Sequence, residues 1–447
     1  MSGIDGWARP TTVSAPVTWA QRGDPLNIKH RKGAFALTAL AVTGALALTG
    51  CSSTDDSDGG ASSSGGASEL TVWHYFSADN QVKLMDDYAE KFEATHEGVD
   101  VKNVFVPYDQ LNSKLIAAAG AKNGPDVVVF NGADASTLAL AGALAPLDEQ
   151  WGSFADADQF PDSVIHTVDD SIYAVQGYVN LLGLWYNADI LAEIGVEPPT
   201  TIDELETAMA AAKDAGKGGI TLSGLPQSQG EWQAYPWLTS QGFDYSDPQA
   251  ADLEAGFAMV RGWVDNGWLS QESVTWDQTV PFQQFTGGNY AFAANGNWQM
   301  GTAAADAGFE YGVVPLPVGD SGKVYLGGEG EGIGAHAKNP ELAWEYLQET
   351  YLDSEGQLLA VSNVGSLPAR ADASADEAVT GNPLLKPFAD SLASSGANYP
   401  DNVVPAPSVA DLQITVGQAW SAAIGGQQAP AKAAESVMTA LPSLLKK

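Results

Sequence analysis

The run PDVVVFN, residues 125–131, constrains the fold more than any other stretch. A strand with one face in water alternates polar and apolar residues. An unbroken apolar run closed off by Pro and Asn instead belongs to a strand covered on both faces. Covering layers are therefore required, and the chain supplies helices in alternation. LTVWHYF (70–76) is β-rich, and Asp79 then precedes Val82, Met85, Tyr88, Ala89 and Phe92 at helical spacing. VDVKNVFVP (99–107) reads as a second strand and DQLNSKLIAAAGA (109–121) as a second helix. Strands alternating with helices imply parallel pairing in an α/β domain.

Downstream, SIYAVQGYVNLLGLWYN (171–187) is strand-like. Thr201-Ile202-Asp203-Glu204 has the capping-box spacing that starts a helix running through Met209. Asn339-Pro340 precedes another helix, through Trp344 and Leu347. From 231 to 300 the chain is rich in Trp, Gly and Gln, and periodicity weakens. No solenoid-type repeat is apparent. The body from Glu69 to Lys447 is long enough for two domains.

The amino-terminal region reads differently. Gly33 to Gly50 is an 18-residue stretch without a charge, preceded by Lys29, His30, Arg31 and Lys32 and followed by Cys51, the only cysteine. A basic region, an apolar region and small residues before a break describe a secretory signal over residues 1–50. Leu48-Thr49-Gly50-Cys51 looks like a bacterial lipobox, in which Cys51 would be lipidated. A short membrane anchor is the alternative, since 18 apolar residues lie at the lower edge of spanning length. The first 25 or so residues, with Pro10, Pro16 and Pro25, fit neither part of that signal and suggest a start site further along, at Val17 or Leu26. Residues 51–69 form a Ser/Gly/Asp tract expected to act as a flexible tether.

Formal charge is −35, and removal of residues 1–50, with five Lys/Arg and two Asp/Glu, leaves 15 against 53, or −38. Such a balance disfavours nucleic acid, whose binding relies on cations neutralising phosphates. Solubility outside the cell accounts for the acidity. Gly319-Asp320-Ser321-Gly322 is similar to a serine-protease nucleophile region but reads as a polar turn. The run 330–335, GEGIGA, fits a loose dinucleotide pattern, yet Glu329 and Glu331 would repel a pyrophosphate and no clear strand feeds it. HExxH, GxxxxGK[ST] and CxxC are absent, and His74, His96, His166 and His336 are scattered. No cofactor or metal is expected, and nothing demands an enzyme.

Five segments in order resemble the carbohydrate-binding solute-binding proteins of ABC importers, the maltose-binding-protein-like family. They are PDVVVFNGADASTLALAGALAPLDE (125–149), IYAVQGYVNLLGLWYNADILAEIGVEPPTTIDEL (172–205), FTGGNYAFAANGNWQM (285–300), GGEGEGIGAHAKNPELAWEYL (327–347) and GSLPAR (365–370). One departure is Gln176-Gly177, where the family often has Pro. The resemblance implies an α/β, two-lobe periplasmic-binding-protein-like fold with hinge crossings and an inter-lobe cleft. Lobe one would be 70–178 plus 327–366, and lobe two 179–326 plus 367–447, with crossings near Tyr178-Val179, Leu326-Gly327 and Gly365-Leu367. It further implies a monomeric, lipid-anchored, extracytoplasmic protein that captures a sugar and delivers it to permease subunits.

A sugar offers C–H faces to flat aromatic rings and hydroxyls to carboxylates and amides. By motif position Trp298 is the first expected platform, against a plain core role. Trp73, His74 and Tyr75 end the first strand, and Phe130 and Asn131 the third, where open α/β sheets bind ligands. Gln176 is a good hydroxyl partner, Asn180 lies at a crossing, Glu231-Trp232 lies by motif position in a loop facing the cleft, and Trp276-Asp277 joins a ring to an acceptor. Glu329 beside Gly327-Gly328 is either a hinge acceptor or an exposed acid in a flexible turn, and Arg370 either a donor or half of a salt bridge. Two other functions stay open: a binder of polyamines or other cations, motivated by the charge, and a secreted glycosidase, motivated by Trp and acid density.

Overall fold

The computed structural model of the protein describes residues 68–446, and residue 68 opens the first strand among them. The signal segment, Cys51 and the tether through residue 67 lie outside the described residues. The tether therefore ends sooner than expected, because Ser68 and Glu69 already pair with Val99 and Asp100.

The strands are β1 (Ser68–His74), β2 (Val99–Phe105), β3 (Val127–Asn131), β4 (Ile165–Val168), β5 (Ser171–Val175), β6 (Tyr178–Val179) and β7 (Leu182–Asn187). They continue with β8 (Gly218–Thr221), β9 (Tyr290–Gly296), β10 (Tyr311–Val314), β11 (Val324–Leu326), β12 (Glu329–Ile333), β13 (Leu367–Pro368) and β14 (Gly396–Asn398). One sheet has the order β2-β1-β3-β12-β5-β4, a second β10-β7-β9-β8. Parallel pairing holds for β2-β1-β3, whereas β12 runs antiparallel between β3 and β5. The second sheet is mostly antiparallel, with β8 parallel to β9. Mixed sheets thus replace the purely parallel arrangement that the early alternation implies.

β3 is covered on both faces. Val127 and Val129 join the larger core, while Val128 and Phe130 pack with Leu111, Leu115 and Leu138. The helix Asp79–Thr95 buries Leu84, Met85, Tyr88, Ala89 and Phe92 on one side, and Tyr108–Gly120 buries Leu111, Leu115 and Ala119 on the other. Val82, assigned to the apolar face by spacing, is 38% exposed. The capping box forms: Glu204 N–H donates to Thr201 Oγ1, and Glu204 Oε2 accepts from Thr201 N–H, both at 3.2 Å, opening the helix Ile202–Asp214.

Two segments differ from expectation. GEGEGI is not a strandless turn but β12, at the centre of the first sheet. Strand alternation sends Glu329 and Glu331 to one face and Gly330 and Gly332 to the other. A Cβ on Gly330 would come within 2.8 Å of the Phe130 ring, so glycine lets the ring lie flat on the strand. Glu231-Trp232 lies not in a loop but in the helix Ser228–Thr239, buried from Gly230 to Thr239. A helix without a polar face shows no amphipathic period.

Three stretches connect the sheets. Residues 176–181 leave β5 for β7, with β6 pairing β13 antiparallel. Asn180 and Gly327 form a two-way backbone bridge, at 2.9 and 2.8 Å. The third stretch leaves the helix Ser354–Val364, packed on Asp79–Thr95, at left-handed Gly365, and leads to the helix Lys386–Ser395 against β7. The halves also meet away from these crossings: Tyr108 lies beside Ser228, and the helix Ala135–Leu140 packs on Val409–Ile424.

Candidate functional site

Buried carboxylates mark the crossings. Glu329, 6% exposed, accepts the Tyr75 hydroxyl on Oε1 at 2.7 Å and Asn180 Nδ2 on Oε2 at 3.3 Å. Burial pushes this carboxyl up to about 7, with the Tyr75 hydroxyl pulling the other way. Glu331, on the same face, accepts the Gly177 N–H at 2.8 Å; burial raises its carboxyl well above the usual range, and Glu329 adds to the rise. Asn180 Oδ1 accepts from Asn297 Nδ2 at 2.9 Å and from the Ser366 hydroxyl at 3.0 Å. Behind them Gln176 Oε1 and His166 Nε2 lie 3.1 Å apart, and burial lowers His166 to about 4, so its ring is neutral.

Aromatic rings extend this polar seam into both halves. Tyr75 meets the Tyr108 ring edge-on at 5.0 Å. Asn131 Nδ2 donates to the Tyr108 hydroxyl at 3.1 Å, while its Oδ1 accepts the Ala133 N–H and starts the turn Gly132–Asp134. Burial raises Asp134 to about 6. In the second half Glu231, 1% exposed, accepts the hydroxyls of Tyr325 and Tyr245 on Oε1 at 2.8 and 3.2 Å. Its Oε2 has no protein partner, and burial pushes the group up to about 7. Tyr235 stacks on Tyr325 at 3.5 Å, and Trp232 meets Tyr399 edge-on at 4.8 Å. The Trp232 ring lies over Gly327, where a Cβ would come within 2.5 Å of it. That close approach joins the cage around Glu231 to the crossing next to Glu329.

The structure thus brings together Tyr75, Asn131, Gln176, Asn180, Glu231, Trp232 and Glu329. Trp298 is half-buried, with its ring over Gly296. Trp276 is buried, its carbonyl accepting the Ser223 hydroxyl at 2.7 Å. Trp73 packs half-buried against the cluster containing Phe130.

Four expectations are corrected by what the side chains touch. Phe130 is fully buried over Gly330. His74 is buried against Phe76 and Phe105, and burial lowers it to about 4. Asp277 Oδ1 accepts the N–H groups of Thr279 and Val280, at 2.8 and 3.1 Å, and fixes the start of the helix Val280–Thr286. Arg370 commits four of its five N–H donors, two to Asp372 and one each to Asp156 and the Leu352 carbonyl, which makes it half of a salt bridge. Sequence reasoning misses Tyr108, Tyr245, Tyr325, Tyr399, Asn297 and Ser366, and only the tyrosine enrichment of 235–245 signals any of them.

Known proteins share this architecture. The bacterial extracellular solute-binding protein family matches residues 87–387. A maltotriose-binding protein of Pyrococcus abyssi is 24% identical over 343 residues, 73% of this chain and 72% of the relative. A melibiose/raffinose/stachyose-binding protein of Bacillus subtilis is 27% identical over 176 residues, 39% of each chain. The GacH receptor of Streptomyces glaucescens, solved unliganded and in complex with acarbose, superposes with a TM-score of 0.76 at 24% identity, over 85% of this chain and 99% of that one. A solute-binding protein of Thermotoga lettingae bound with α-D-tagatose gives 0.74 at 20% identity, over 85% and 100%. The superpositions carry the two-lobe α/β fold, and with two thirds of its length inside the family match the chain belongs to the bacterial extracellular solute-binding proteins.

Proposed function

We propose that the protein is the extracytoplasmic binding subunit of an ABC importer, lipid-anchored through Cys51, which captures a sugar or oligosaccharide and releases it unaltered to permease subunits. It works as a monomer. The observation that carries this reading is the pairing of Glu231 and Glu329, two buried acceptors framed by Tyr and Trp rings on either side of Gly327. Rings that pack on C–H faces and carboxylates that accept hydroxyls form a sugar-recognition set. Relatives named for maltotriose and for raffinose point to the same ligand class. Among the described residues no helix is long and apolar enough to cross a membrane.

In this reading lobe one is 70–178 plus 327–366 and lobe two 179–326 plus 367–447, and they close as a hinge. Ligand contacts come from Tyr75, Asn131, Asn180, Glu231, Trp232, Trp298 and Glu329. Titration of intrinsic Trp fluorescence with maltose, maltotriose, raffinose, stachyose and spermidine tests it. A saturable response to a sugar, with no reducing ends released, is expected. Silence of the folded protein across the sugars, or a response to spermidine alone, overturns the sugar assignment; turnover assigns a glycosidase instead.

A further inference from the structure

Asn297 is fully buried and opens the turn Asn297–Gln299, which follows β9 and carries Trp298. Its Oδ1 accepts the Leu181 N–H at 2.9 Å. Its Nδ2 donates to Asn180 Oδ1 and to the Gly365 carbonyl, each at 2.9 Å, with the Val179 carbonyl at 3.5 Å. A side-chain amide has two N–H hydrogens, and both are committed here. Leu181 and Asn180 belong to the first crossing and Gly365 to the third. The second joins through the backbone bridge between Asn180 and Gly327. One side chain therefore ties the three connections between the halves.

We propose that Asn297 is a positioning residue that couples the orientation of the Trp298 ring to the state of the hinge. The inference rests on reading Trp298 as a ligand platform. Gly365 ends a helix packed on the first half, whereas Asn297 follows a strand of the second sheet. Rotation of one half against the other either breaks the Asn297–Gly365 bond or drags Asn297 along. Trp298 is the next residue in the chain, with its ring against Gly296, so it moves with Asn297. Gly365 is suited to this contact: a Cβ there would lie 2.8 Å from the Asn297 carbonyl oxygen.

Two ligand-free readouts test the coupling. One is the radius of gyration from small-angle X-ray scattering, and the other is acrylamide quenching of the Trp298 component, taken as the difference between matched proteins with and without Trp298→Phe. Asn297→Asp keeps the acceptor but removes both donors and sets a carboxylate against two oxygens. The open form is expected to gain about tenfold in population, the scale of one buried hydrogen bond left unmade, with Trp298 more readily quenched. Asn297→Ala, which adds no charge, is the second variant should the first fail to fold. Ser366→Ala removes another donor to the same Asn180 oxygen and leaves the Trp298 component unchanged. An unaltered Trp298 component in a folded Asn297 variant overturns the proposal, as does an equal change in Ser366→Ala. A wild-type protein that binds no sugar while these shifts appear defeats the ligand reading alone.

Discussion

Glu329 and Glu231 are both interior carboxylates pushed up to about 7 by burial, yet their surroundings differ. Glu329 has both oxygens occupied, by Tyr75 and Asn180, and sits on the central strand of a sheet. Glu231 gathers two tyrosine hydroxyls on one oxygen and leaves the other without a protein partner. In the proposed reading both accept from a ligand, but Glu329 also holds its own chain together, whereas Glu231 keeps one oxygen without a protein partner.

The sharpest way to break that contrast is to remove Glu329. Glu329→Ala leaves the Tyr75 hydroxyl and the Asn180 amide without their acceptor, and at about 1–3 kcal/mol for each group the loss should approach 4 kcal/mol in denaturant unfolding. Next comes pH. Both carboxyls hold their protons more tightly folded, at about 7, than at the ordinary 4.5. Their contribution to stability is thus fully present below 4.5 and is lost as pH rises through about 7. Unfolding midpoints at acidic and alkaline pH should show this fall, and the double variant Glu231→Gln/Glu329→Gln should make it shallower, leaving the part due to Glu331 and Asp134.

Glu231→Gln separates the two roles. It should leave the unfolding midpoint close to wild type but weaken sugar binding by about 2 kcal/mol, the scale of a hydrogen bond to a charged group, in a fluorescence titration. Unchanged affinity would remove Glu231 from the proposed ligand contacts. Arg370→Met should cost about 1–2 kcal/mol of stability without altering affinity, because Asp156 and Asp372 are 53% and 47% exposed and stay hydrated when left alone. The smallest effect belongs to Asp277→Ala. Loss of its bonds to Thr279 and Val280 should lower stability by about 1 kcal/mol, again with affinity intact.

Much of the chain up to Asp214 is legible in sequence, because its signals are local. Val127 to Phe130 announce a strand covered on both faces, and Thr201 with Glu204 announces a helix start. The helix Ser228–Thr239 escapes notice since Trp232, Tyr235 and Trp237 are buried on every side, leaving no polar face to set a period. β12 escapes for the opposite reason: it alternates glycine with glutamate, residues depleted in strands, and works only because Phe130 fills the space above Gly330. Motif position singles out Asn180, Glu231 and Glu329, but their partners lie far off in the chain. Asn297 meets Asn180 across 117 positions, and Ser366 meets it across 186. Short polar residues at such separations carry no local signature.

The place of β12 bears on how the molecule is made. Between β3 and β5, which emerge early in synthesis, stands a strand whose residues are translated only after the whole second sheet. Until the ribosome has passed Ile333, the two flanking strands face one another across a missing neighbour, with unpaired edges open to the wrong company. Long-range pairing of this kind folds slowly. The first sheet of a nascent chain is therefore completed only once residues 329–333 have emerged, however early its outer strands are made.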